Sequence, residues 1–194
     1  AKARGLRLWG DVTREPTRRA ARLALARAAY AAVRSSAPNW PEVRSEAAAV
    51  ELLDGDVKTA RALAEQALAL DGFYYQGWKT IAQARLADAD PAGAAAAWAH
   101  YFDDPRNAGD VAALRAYAAA QLQAGDATGA LDTAQAVVRL APDDARAWAD
   151  LAVLRDRAGD RRGAIEAAER AAGLSPADAG IRQWLDGLSA PERP

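Results

Sequence analysis

The side chains in this sequence that could take part in chemistry are few. One histidine, His100, stands beside Trp98 and Tyr101. An imidazole acts as a base or a metal ligand only with a partner in reach, and the chain has no second histidine and no cysteine. His100 therefore reads as a helix-surface or packed structural residue. Two acidic pairs, Asp103-Asp104 and Asp143-Asp144, have the composition of a cation site. Neither lies in a calcium-loop pattern with its terminal glutamate. Both fall between expected helices, where aspartate is favoured for capping and turns. There is no Gly-x-x-x-x-Gly-Lys-Ser/Thr phosphate loop and no Gly-x-Ser-x-Gly nucleophile turn. No catalytic constellation is found, no cofactor or metal is expected, and the chain reads as a non-enzyme.

The elements that would carry these residues follow from composition. Half of the 194 residues are apolar, with alanine dominant, two Phe, no Met and no Cys. Alanine is the best helix former and leaves a thin side chain, so the chain suits helices whose backbones approach closely. No alternating Val, Ile, Thr and aromatic run reads as a strand. Absence of thiols is compatible with a cytoplasmic or a periplasmic setting, and apolar stretches fall short of the roughly 18 residues of a membrane span. The chain opens on Ala1 with no hydrophobic leader, which we read as a processed or trimmed form. Net charge is −1, against a general nucleic-acid binder. Residues 1–40 carry +7 and the rest −8. The basic start complements the acidic remainder or is solvated; a docking or membrane-surface segment is the sharper reading.

Repeats show through their punctuation. Gly55-Asp56, Ala89-Asp90, Gly125-Asp126 and Gly159-Asp160 recur at spacings of 34, 36 and 34 residues. Four residues after each Asp stands Ala60, Ala94, Ala130 or Ala164; then Ala64, Trp98, Ala134, Ala168; then Ala67, Tyr101, Val137, Ala171. Glycine ends one helix in the left-handed conformation, and aspartate caps the next. Pro91 suits a first helical position. The residues after each cap form an i, i+4, i+7 stripe on one face. Reading back from each hinge gives a preceding helix through Arg44/Ala47/Ala48/Glu51, Trp78/Ile81/Ala82/Arg85, Leu114/Tyr117/Ala118/Gln121 and Trp148/Leu151/Ala152/Arg155. Pro142 and Pro176 stand beyond second helices, which they cannot continue.

This frame resembles the tetratricopeptide repeat, whose signature is Trp-x2-Leu-Gly-x2-Tyr, Ala-x3-Phe and Pro over 34 residues. The last unit reads Trp148-x2-Leu151-Ala152-x2-Arg155, Ala164-x3-Ala168, Pro176. Ala stands for the consensus Gly, Arg for Tyr and Ala for Phe, departures that alternate packing can fill. The resemblance covers residues 41–178, divided as 41–74, 75–108, 111–144 and 145–178. It implies an all-α, right-handed α-solenoid of antiparallel helix pairs. Residues 1–40 form a basic segment with a lone helix over 17–35, a degenerate half repeat keeping Ala26, Tyr30 and Val33, with the first dozen residues loosely ordered. Residues 179–194 give a capping helix through Ile181, Trp184, Leu185 and Leu188, and a tail.

The same resemblance implies that first helices line a concave, partner-binding face. Its residues include Glu42, Ser45 and Ala49; Gln76, Lys79, Gln83 and Leu86; Arg115, Ala119, Leu122 and Gln123; and Arg146, Val153, Asp156 and Arg157. Lys79, Arg115, Arg146 and Arg157 outweigh Glu42 and Asp156. This favours an acidic or carboxylate-bearing peptide; solvated surface charge is the alternative. The terminal-carboxylate clamp of chaperone-binding members is not matched, because Lys79, Gln83, Ala116, Arg146 and Asp150 stand at its positions. Phe73 and Trp78 are expected in the inter-repeat core, with Tyr74 and Tyr75 as candidate aromatic anchors.

The function so implied is non-catalytic binding of a protein or peptide: a scaffold, adaptor or assembly factor. One alternative is the soluble tail of a larger membrane-bound enzyme or assembly component, of polysaccharide-ligase or cytochrome-maturation type. Another is an obligate structural subunit. Membrane contact would come only through the basic start or an upstream anchor outside this chain, and no nucleic-acid partner is expected.

Overall fold

The computed structural model describes residues 16–189, and these form ten α-helices and one 3-10 turn. They fall in two compact units, one up to Ala108 and one from Gly109. The expected loose order of the first dozen residues lies outside the described residues. Among these no helix is long and apolar enough to cross a membrane.

The first unit holds α1 (Pro16–Ser36), α2 (Pro41–Asp54), α3 (Val57–Leu70), α4 (Tyr75–Ala87), α5 (Pro91–Phe102) and the 3-10 turn Pro105–Asn107. The second holds α6 (Val111–Gln123), α7 (Ala127–Leu140), α8 (Ala145–Arg157), α9 (Arg161–Leu174) and α10 (Ala179–Ser189). Helices pack in couples, α2 with α3 and α4 with α5, then α6 with α7 and α8 with α9. The lone helix α1 lies against α2, and α10 covers α9.

Each couple is joined by the same device. At the end of α2 the amide of Asp56 donates to the Glu51 carbonyl at 2.9 Å, and that of Gly55 to Leu52 at 3.2 Å. These crossed bonds close the helix around a left-handed residue, here Gly55 with φ of 91°. The Asp56 carboxylate then accepts from the Thr59 amide at 3.0 Å and opens α3. Asp90, Asp126 and Asp160 repeat the arrangement, accepting from Gly93, Gly129 and Gly163 at 2.9, 2.8 and 2.9 Å. At the second hinge the left-handed position belongs to Ala89, with φ of 56°.

The stripe that follows each hinge is the core. Ala60, Ala64 and Ala67, like Ala94, Ala130, Ala164, Ala168 and Ala171, are buried. So are Trp98, Tyr101, Ala134 and Val137 at the remaining stripe positions. In the second unit Ala130, Ala134, Val137, Ala164 and Ala168 join Leu151, Ala152, Leu154 and Leu188 in one cluster, against which Trp184 and Leu185 of α10 pack.

Helix α1 is held by Leu23, Ala26 and Tyr30, which it buries, and by polar bonds to α2. Arg27 donates from Nε to Glu51 Oε1 at 2.8 Å and from Nη2 to Asp54 Oδ2 at 2.7 Å. Arg19 Nη2 donates to the Leu53 carbonyl at 3.0 Å. The two carboxylates, Glu51 foremost, push the Arg27 guanidinium above its ordinary value and keep it ionised.

Two expectations about aromatic residues need correction. Phe73 is 79% exposed rather than core. It sits in the α3–α4 turn, where its amide donates to Asp71 Oδ1 at 2.9 Å, and this turn geometry turns the ring outward. Trp78 is half-buried and stacks on His100 with ring centres 4.5 Å apart.

Candidate functional site

Each unit presents an open cleft between consecutive first helices. The aspartate hinges and the buried alanine stripes set this spacing, because thin stripes let second helices lie close beneath first helices.

In the first unit the cleft runs between α2 and α4 and encloses about 490 Å³. Gln76, Lys79 and Gln83 line it from α4, with Tyr74 at its end. From α2 come Ser45, Glu46 and Ala49. Ser45, expected to face a partner, is buried. Lys79 also places its Nζ over the Tyr101 ring, 5.4 Å from the centre. The lining carries Glu46 opposite Lys79, so it has no excess of positive charge.

The second unit's cleft lies between α6 and α8, with α7 as its floor, and encloses about 530 Å³. Ala134 and Val137 form the floor, Leu122 and Val153 stand on the walls, and Arg115, Arg146 and Asp150 carry its charge. Arg115 donates to a single oxygen of Asp150, from Nε at 2.8 Å and from Nη2 at 2.6 Å. This pair neutralises one of the cations counted in the sequence and leaves a lining charge of +1 with Arg146.

Of the first-helix residues singled out in the sequence, Glu42, Leu86, Gln123, Asp156 and Arg157 line neither cleft. Glu42 sits in the first turn of its helix and the other four in the last turn of theirs. Tyr75 lines neither cleft, and it meets Tyr74, which stands at the end of the first cleft, at a separate site. With Phe73, Gln76, Asp104, Arg106 and Asn107 they border a notch of about 330 Å³ at the end of the first unit. The 3-10 turn forms one wall of this notch. Asp104 caps it by accepting from the Arg106 amide at 3.0 Å and pairs with the Arg106 side chain at 2.7 Å. These contacts, the Arg106 side chain foremost, hold the Asp104 carboxyl below the usual carboxylate range. Asn107 is buried and donates to the Tyr101 carbonyl at 2.8 Å.

This turn is not among the elements expected from the sequence. Its signal was the 36-residue spacing between the second and third hinges, two longer than its neighbours. His100 Nδ1 lies 3.3 Å from Asp103 Oδ2. Among the described residues no group of three or more His, Cys, Asp or Glu side chains is placed to hold a metal.

Repeated antiparallel couples, each joined by a left-handed residue and a capping aspartate, define a tetratricopeptide-like fold. Solved structures agree. MamA from Desulfovibrio magneticus RS-1 superposes with a TM-score of 0.73 at 16% identity, covering 92% of this chain and 98% of that one. YrrB, a TPR protein with an unusual peptide-binding site, gives 0.72 at 19% identity over 85% of this chain and 84% of its own. PilF from Pseudomonas aeruginosa gives 0.72 at 14%, over 90% and 77%. No protein-family model and no curated protein sequence matches the chain. At these identities the likeness establishes the fold.

Proposed function

We propose that this chain is a non-catalytic protein-binding scaffold that holds segments of partner proteins on the exposed faces of its first helices. The observation carrying this reading is the pair of open clefts, α2–α4 and α6–α8, each large enough to seat side chains of a bound polypeptide. YrrB, which shares the fold, has a peptide-binding site. The charge of the linings refines the expected partner. The first cleft balances Lys79 with Glu46 and offers Gln76 and Gln83 for hydrogen bonds to a peptide backbone. The second is apolar with a single net positive charge.

Photo-crosslinking tests this directly. A benzophenone amino acid is placed at Gln83 or Ala119 on first helices, and at Glu65 or Glu169 on second helices, all four exposed. In an extract of the native source, a discrete protein adduct is expected from the first-helix positions, weakened by Lys79→Glu and Arg146→Glu. Equal labelling from second-helix positions, or adducts indifferent to both charge reversals, would remove the reading.

A further inference from the structure

The floor of the second unit's cleft is set by two positions of the repeat frame. Eight and eleven residues after Asp90, helix α5 carries Trp98 and Tyr101, both buried. At the same offsets after Asp126, helix α7 carries Ala134 and Val137. Relative to α5, a methyl and an isopropyl group stand for an indole and a phenol ring. Helices α3 and α9 carry alanines at these offsets too, but Ala64 and Ala67 of α3 line no part of the first unit's cleft, whereas Ala134 and Val137 floor the second unit's. The space is not closed by collapse, and it remains as the apolar cleft between α6 and α8. Leu122 is half-buried on its wall, and Val153 is 37% exposed at its mouth. Exposed apolar surface at a concave site marks a place where another apolar group belongs.

Charge selects that group's neighbour. Arg115 is committed to Asp150, whereas Arg146 is exposed in the first turn of α8 and gives the lining its net positive charge.

We propose that this cleft is a socket for one bulky apolar side chain of a partner polypeptide, leucine-sized or aromatic, next to a carboxylate that pairs with Arg146. The proposal rests on the protein-binding reading above and deepens it. The partner side chain supplies from outside the bulk that Trp98 and Tyr101 supply from within the first unit.

The probes are four: the blocked peptides Ac-Ala-Phe-Glu-Ala-NH2, Ac-Ala-Phe-Gln-Ala-NH2 and Ac-Ala-Ala-Glu-Ala-NH2, and free 4-phenylbutyrate. Binding is read on the full chain from methyl NMR of Leu122, Val137 and Val153. The Phe-Glu peptide is expected to shift these methyls. The Phe-Gln peptide should bind about threefold more weakly, the size of a rim ion pair, and the Ala-Glu peptide not measurably. Arg146→Gln should abolish the Glu/Gln difference. Ala134→Phe should fill the socket from below and abolish binding; because it could instead disturb packing, Val153→Glu at the exposed mouth provides an independent block.

Equal binding of the Phe-Glu and Ala-Glu peptides overturns the proposal, as does full binding to Val153→Glu. Tighter binding of 4-phenylbutyrate than of the Phe-Glu peptide would make the cleft a small-molecule site and also overturn it. If the peptides fail while crosslinking from Gln83 still captures a protein, the socket alone falls. If crosslinking from first-helix positions fails as well, the protein-binding reading falls with it.

Discussion

The second hinge can be improved by one substitution. Ala89 adopts the left-handed conformation, with φ of 56°, that glycine provides at the other three hinges. Its crossed bonds are nevertheless in place, with Asp90 N to Arg85 O at 2.8 Å and Ala89 N to Leu86 O at 3.1 Å. An L-residue there costs about 1–2 kcal/mol in steric strain. Ala89→Gly removes that cost but widens the unfolded ensemble, which takes back about 0.4–1 kcal/mol. The net expectation is a gain of about 0.5–1 kcal/mol, or about 1–4 °C in melting temperature for a chain of this size. The mirror experiment is Gly125→Ala. Gly125 has φ of 89° and nothing within 4 Å of a built Cβ, so the change is purely conformational and should lose about as much. Urea and thermal unfolding followed by circular dichroism, with one probe in each unit, measure both. A neutral or destabilising Ala89→Gly, or a harmless Gly125→Ala, would refute the role assigned to the left-handed residue.

Further expectations concern the core and the caps. Ala130→Leu or Ala164→Leu, both at fully buried stripe positions, should overpack a couple and cost about 1–3 kcal/mol in urea unfolding. Asp160→Ala should cost about 1 kcal/mol by orphaning the Gly163 amide, and Asp160→Asn should retain most of the cap. The Asp56 carboxyl is held below its ordinary value, first by the Thr59 amide, and Asp104 first by the Arg106 side chain. A depressed folded-state value stabilises above the unfolded value near 4, and that contribution is lost as pH falls through the folded value. The acid limb of a stability–pH curve should therefore flatten in Asp56→Asn and Asp104→Asn. Burial raises the Tyr117 phenol above its ordinary value. Its contribution is complete below the unfolded value near 10 and disappears as pH rises through the folded one, so Tyr117→Phe should flatten the alkaline limb.

The hinges were legible in the sequence because their chemistry is local: a left-handed residue, an aspartate and an alanine stripe sit within twelve residues of one another. The lone helix α1 and the terminal helix α10 were legible for the same reason, through their apolar periodicity. The clefts were less so. Pairing of Arg115 with Asp150 crosses from α6 to α8, thirty-five residues apart, and depends on a spacing that only packing sets. Phe73 was misread because hydrophobicity points inward while the Asp71 turn points outward. The socket was written in the contrast of Trp98 and Tyr101 with Ala134 and Val137, but one sequence shows only that the aromatic residue is missing. Whether neighbours close the gap is a matter of backbone distances.

Each hinge aspartate belongs to two helices at once, its amide to the helix it ends and its carboxylate to the helix it begins. A single replacement there is felt on both sides, whereas most outward positions of a couple answer to neither. Mutational drift acting on such a chain would erode nearly everything except these joints and the small residues beneath them. Kinship among proteins of this design would then outlive any visible likeness between their sequences, persisting in the spacing of a few corners.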